Sequence, residues 1–248
     1  MKLVSLCPSI TKLVFDLGAG DRLLAVTKFC IHPAAEVASL EKVGGTKDPK
    51  LDRIRELKPD LILMNREENR REDWEALTEA GLDCHISHPC SVDASMAFVA
   101  DLGHRLGRAA AAAALIEEMK RARTRLRVAR TGAGERSFAY LIWRKPWMTI
   151  NGSTYISSLI AEAGARNVFG DHPTIYPAVS AEELASVDPD LVLLSSEPFP
   201  FKAKHIDELA QATGMTRERF RLVDGELLSW HGALTAAGLD YLVEVFAD

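Results

Sequence analysis

From Arg108 to Arg130 the chain runs without a glycine or proline, through residues dominated by Ala, Leu, Glu, Arg and Lys, all strong helix formers. At 1.5 Å per residue the stretch extends about 36 Å, longer than a crossover within one α/β body requires. It is therefore predicted to be a strut, residues 104–131, between an N-terminal lobe over 1–103 and a C-terminal lobe over 132–248. Thr131-Gly132-Ala133-Gly134 ends it. Because this glycine run leads into a strand and not a helix, it is read as a linker and not as a phosphate loop.

On both sides of the strut, strand and helix patterns alternate. Before it, Lys2 to Leu6 reads as a buried strand, and Ser9 as the cap of a helix carrying Ile10, Leu13, Val14 and Leu17 at helical spacing. Strand Leu23 to Val26, helix Leu51 to Leu57, strand Leu61 to Met64, helix Glu72 to Ala80 and strand Cys84 to Ser87 follow. After it come strand Phe138 to Trp143, helix Thr154 to Ala163, helix Ser180 to Ala185, strand Leu191 to Leu194 and helix Ile206 to Ala212. Strand Phe220 to Val223 and a final helix over Ala233 to Phe246 complete the order. Such alternation implies mainly parallel sheets covered on both faces, so the expected fold is α/β with two Rossmann-like lobes and a ligand cleft between them. Leu57-Lys58-Pro59-Asp60-Leu61 in the first half is echoed by Val187-Asp188-Pro189-Asp190-Leu191 in the second. In both, proline stops a helix and aspartate turns the chain into a strand, which suggests two similar lobes.

The 248 residues are 47% hydrophobic, enough for two cores, and the net charge of −5 with scattered Lys and Arg gives no phosphate-tracking surface, so nucleic acid is not an expected partner. No stretch reaches the roughly 18 consecutive apolar residues of a membrane span. Four cysteines are too few for a disulfide scaffold; free thiols are the simpler expectation, with one or two bridges as the alternative. The opening residues read as strand and turn, pointing to the cytoplasm as encoded, or to an extracytoplasmic site for a trimmed form of an exported chain.

Ligands of open parallel sheets collect beyond the carboxyl ends of the strands. The residues there are Cys7, Pro8 and Ser9, then Lys28, Phe29 and His32, then Asn65 and Glu67. The second half places Trp143, Trp147, Glu197, Phe199, Trp230 and His231 correspondingly. Aromatic faces with few polar groups suit a flat, partly apolar ligand. Stacking is assigned to Phe29, Trp147, Tyr176 and Trp230, and polar orientation to Ser9, Lys28 and Glu197. Cys84, His85, His88 and Cys90 are candidate metal ligands, though alternation along a strand sends Cys84 and His85 to opposite faces. No nucleophile elbow, P-loop, HExxH or GxGxxG pattern occurs, so catalysis is not expected.

In series, Ser5-Leu6-Cys7-Pro8-Ser9-Ile10-Thr11, Leu17-Gly18-Ala19-Gly20-Asp21, Val43-Gly44-Gly45, Leu57-Lys58-Pro59-Asp60-Leu61, Ala163-Gly164-Ala165-Arg166-Asn167-Val168 and Leu194-Ser195-Ser196-Glu197-Pro198 carry a resemblance. The chain resembles the cobalamin and siderophore class of substrate-binding proteins of ABC importers, the helical-backbone metal receptors. The resemblance implies two lobes bridged by one long helix and a cleft lined by aromatics at Phe29, Tyr176 and Trp230, with the loop at Gly45 and Thr46 contributing. It also implies an ABC permease as partner, docked through Glu72 and Glu182. Asn65 and Thr46 stand where cobalamin binders of this class present tryptophans. The expected protein is thus a monomer with no intrinsic cofactor, capturing a corrinoid, siderophore or haem that brings its own cobalt or iron. A cytoplasmic carrier, sensor or modifying enzyme on the same scaffold, and direct metal binding at Cys84 to Cys90, remain as alternatives.

Overall fold

A computed structural model describes residues 1–247. The chain divides into two compact units, Met1–Pro89 with Ala94–Glu117 and Cys90–Asp93 with Glu118–Asp248. The elements of the first are β1 (Leu3–Ser5), α1 (Pro8–Asp16), β2 (Leu23–Val26), α2 (Ala34–Ala38), β3 (Glu41–Lys42), α3 (Leu51–Leu57), β4 (Leu61–Asn65), α4 (Arg71–Glu79) and β5 (Cys84–Ser87). Their sheet has the order β3-β2-β1-β4-β5, and every pairing is parallel. Next come α5 (Val92–Arg105) and α6 (Ala109–Ala129).

The second unit holds β6 (Arg136–Leu141), β7 (Trp147–Met148), α7 (Tyr155–Ala161), β8 (Ala165–Asn167), β9 (Ala178–Val179), α8 (Ala181–Ser186), β10 (Leu191–Ser195), α9 (Ala203–Thr213), β11 (Phe220–Val223), α10 (Gly225–Ser229) and α11 (Thr235–Val245). Its main sheet, β11-β10-β6-β8, is again all parallel, and β7 pairs antiparallel with β9. The order β2-β1-β4-β5 in the first unit therefore recurs as β8-β6-β10-β11 in the second.

The echoed Pro-Asp segments occupy matching places in this topology. Lys58 and Asp188, each before its proline, adopt left-handed φ of 47° and 43°. The following aspartates then close the entry to the sheet: Lys2 donates its backbone N–H to the Asp60 carboxylate at 2.6 Å, and Ser137 donates both N–H and hydroxyl to Asp190 at 2.7 and 2.8 Å. These bonds hold the Asp190 carboxyl below the usual carboxylate range. Asp190→Ala is expected to cost about 1 kcal/mol at neutral pH. The contribution, present above the unfolded carboxylate pKa, disappears as pH falls through the depressed folded value. Urea melts of both proteins at pH 7 and pH 3 check this.

Both central strands, β4 and β10, are buried at every residue, as sheets covered on two faces require. Val4, Leu6, Ile62, Met64, Ile54 and Leu77 form one core, and Ala139, Leu141, Val192, Leu194, Leu184 and Leu209 the other. Three readings need correction. Cys7, not Ser9, is the N-cap of α1, because Pro8 with its fixed φ takes the first helical position. The long helix begins at Ala109, since His104 and Arg105 finish α5 and Gly107 turns the chain at φ 61°. Strand β6 ends at Leu141, leaving Trp143 in the loop beyond it.

Candidate functional site

In the first unit, the loop leaving β2 holds the exposed face. Phe29 and Ile31 are 51% and 50% exposed, unusual for large apolar side chains, and His32 beside them is half-buried. The Lys28 ammonium lies 5.1 Å from the Phe29 ring centroid and 4.0 Å from Asp48 Oδ2, so the ring is held between a paired cation and the neighbouring loop. That loop can approach because position 45 is glycine: a Cβ there would lie 2.1 Å from Asp48 Oδ1 and 3.2 Å from Phe29 Cε2.

Behind this face the predicted polar residues turn inward. Cys7 and Ser9 are buried, with thiol and hydroxyl 3.2 Å apart. Burial, reinforced by the charge of Glu68, pushes the Cys7 thiol up to about 12, so it stays neutral. Among the described residues, none of the four cysteines is joined in a disulfide. Asn65, only 3% exposed, donates to Ser87 and accepts from the N–H groups of Glu67 and Glu68. Asn69 Nδ2 bridges the carbonyls of Leu6 and Thr46, both at 3.0 Å. Cys7, Ser9, Thr46 and Asn65, expected to face a ligand, are buried and bonded to neighbouring strand ends and loops. Pro8 is half-buried at the start of α1, and Glu67 stays exposed, 3.8 Å from His88 Nε2.

In the second unit the loops after β6 and β10 build an aromatic chain. Trp143, 41% exposed, meets Phe199 edge-on at 5.8 Å, and Phe199 meets Phe201 at 4.8 Å. Phe201 stacks on Trp147 at 6.1 Å, while the Arg144 guanidinium sits 5.6 Å from the Trp147 ring and forks onto Glu208 at 3.0 and 2.7 Å. Trp147 is thus committed to packing, and the exposed ring of this aromatic chain is Trp143. Ile175 is 44% exposed, next to a half-buried Tyr176.

Trp230, expected as a stacking ring, is 7% exposed, and its indole N–H donates to Glu197 Oε1 at 3.0 Å, the same oxygen that accepts from the Ser229 hydroxyl at 2.7 Å. Glu197 is fixed in turn by Ser195, whose hydroxyl donates to the Glu197 carbonyl at 2.6 Å and accepts from the Tyr140 phenol at 2.9 Å. Burial pushes the Tyr140 phenol up, which keeps it a donor. His231 is likewise buried, packed edge-on against Tyr155 at 5.9 Å. Ser229, Ile31, Ile175 and Arg144 were not singled out from the sequence. Exposed isoleucines leave no periodic signal, and the role of Ser229 depends on a partner 32 residues away.

The candidate metal ligands do not assemble, because His85 stacks on Phe98 at 5.8 Å beside Asp101. Among the described residues no three His, Cys, Asp or Glu are placed to hold a metal. Glu72 and Glu182 are exposed in the first turns of α4 and α8. Among the described residues no helix is long and apolar enough to cross a membrane.

Two parallel sheets of repeated order each end in loops that expose aromatic side chains. The chain belongs to the periplasmic binding protein family, which matches residues 3–217. It is 28% identical over 206 residues to the vitamin B12-binding protein of Pectobacterium carotovorum subsp. carotovorum, covering 79% of this chain and 72% of that one. Its fold is similar to the periplasmic heme-binding protein RhuT from Roseiflexus sp. RS-1, with a TM-score of 0.84, 21% identity and coverage of 99% and 97% of the two chains. It is also similar to the periplasmic vitamin B12 binding protein BtuF of Vibrio cholerae, with a TM-score of 0.81, 19% identity and coverage of 98% and 96%.

Proposed function

We propose that this protein captures a corrinoid or another planar metal chelate such as haem, and delivers it to an ABC permease. The observation that carries this reading is the pair of exposed rings at strand ends, Phe29 in one unit and Trp143 in the other. Folding gains nothing from leaving such a ring in water, whereas a flat macrocycle that covers it recovers its apolar area and adds stacking of about 0.5–1.5 kcal/mol. Lys28, held over Phe29, supplies a cation for the amide or carboxylate arms that such macrocycles carry. The vitamin B12-binding and heme-binding relatives support the ligand class. Glu72 and Glu182 are the exposed carboxylates assigned to permease docking. Asn65 and Thr46 stand where cobalamin binders of this class present tryptophans, which leaves fewer rings for cobalamin.

Tryptophan fluorescence titration with cyanocobalamin, cobinamide, haemin and ferric siderophores tests the proposal. Saturable quenching is expected with at least one corrinoid or with haemin, at a Kd in the micromolar range or below, about −8 kcal/mol. Absence of quenching with all four would remove this ligand class.

A further inference from the structure

A cavity of about 330 Å³ opens where β4 and β5 end against the start of α4. Its walls are apolar: Met64, Ile86 and the Trp74 ring. Neither Phe29 nor Lys28 lines it. The polar side chains at its floor, Asn65 and Asn69, spend their amides on Ser87, Leu6 and Thr46, so they add little polarity to the space. The rim is cationic, with Arg66, Arg70 and Arg71.

These arginines differ in how their charge is used. Arg71 pairs with Glu75 at 2.7 Å, and Arg70 forks onto both oxygens of Asp73, at 3.0 and 2.8 Å. Asp73 is only 3% exposed, so the fork fixes the Arg70 guanidinium while its Nη1 edge stays outside the pair. Arg66 makes no ion pair among the described residues. One uncompensated positive charge therefore stands at the mouth of an apolar hollow, beside a second guanidinium held rigid from behind.

We propose that this cavity is a second binding site, for a small monoanion of planar, apolar body: an aromatic carboxylate whose ring lies among Trp74, Met64 and Ile86 and whose oxygens meet Arg66 and Arg70. The volume is at the small end of ligand sites of roughly 300–1,000 Å³ and exceeds the ~150 Å³ that holds a single benzene, so a fused bicyclic ring fits and a macrocycle does not. A monoanion matches the one unpaired charge, and a neutral analogue leaves Arg66 without a partner.

Calorimetric titration with 1-naphthoate, and with the uncharged 1-naphthalenemethanol, tests the proposal on the whole protein. Saturable 1-naphthoate binding is expected, with the alcohol at least tenfold weaker, since a charge-assisted hydrogen bond carries about one power of ten in affinity. Arg66→Gln should weaken naphthoate about tenfold and erase the preference over the alcohol, and Trp74→Leu should weaken both ligands. Phe29→Ala should leave naphthoate binding unchanged, which separates this site from the proposed chelate-binding residues. If naphthoate fails to bind below millimolar concentration, binds the Arg66→Gln protein equally well, or depends on Phe29, the cavity is not the site proposed.

Discussion

Gly225→Ala is expected to lower stability by about 3 kcal/mol, the upper range for overpacking a filled interior, and hence the Tm by about 6–12 °C for a chain of this size. A Cβ at this position would lie 2.4 Å from Ser195 Oγ, 2.5 Å from Glu197 Cγ and 2.9 Å from the Glu197 backbone nitrogen. None of the three yields easily. Ser195 is fully buried and bonded to Tyr140, and Glu197 is held through both its backbone and its carboxylate. Relief must move the backbone of the loop after β10, which loosens the grip on Trp230 and Ser229. Thermal melts followed by near-ultraviolet circular dichroism check this, because the indole environment should change along with the Tm. Gly134→Ala is the control, since nothing lies within 4 Å of a Cβ there. If both substitutions shift the Tm equally, close packing at Gly225 is not what holds this loop.

Phe29→Ala combined with Trp143→Ala is expected to weaken the chelate by the loss from each ring that it covers. Each exposed ring is worth about 2 kcal/mol when a flat ligand covers it, counting apolar area and stacking, and the contributions of separate sites add. That is roughly thirtyfold per ring. Folding should be nearly unaffected, because at 51% and 41% exposure both rings already face solvent in large part. Fluorescence from Trp147 and Trp230 remains as the reporter in the double variant. Trp230→Phe gives the contrast: it removes the donor to Glu197 at 3.0 Å while keeping most of the ring, so stability should fall before affinity does. Unchanged affinity in the double variant would mean that the ligand is held elsewhere.

The same residues show why some of the site was legible and some was not. Phe29 sits after a short strand with Lys28, the cation over its ring, beside it in sequence, so its exposure could be read from neighbours in sequence. Trp147 and Trp230 sit in equally polar surroundings and were read the same way. Their partners come from afar: Phe201 for one, and Glu197, 33 residues back, for the other. A polar neighbourhood in sequence is no guide to burial once a distant carboxylate can accept the indole proton. Asn65 and Ser9 pose the opposite difficulty. Small polar side chains at strand ends serve ligands and protein partners equally well, and here loop backbone bonds Asn65 while the Cys7 thiol meets Ser9.

What the sequence determined alone is the order of elements and their parallel arrangement. Helical spacing in α1, proline after α3, and buried runs in β4 and β10 are short-range signals, set by steric limits on φ and by which faces must leave water. The glycine-free run of α6 and the repeated Pro-Asp turn pointed to a two-part organisation, and the series of short motifs along the chain pointed to its family. Only the tertiary structure decided which rings face solvent, that Asp60 and Asp190 close the sheet entries, and that an arginine-rimmed hollow lies beside α4. Those depend on side chains meeting across tens of residues, where the geometry of packing, not the identity of the neighbours in sequence, selects the partner.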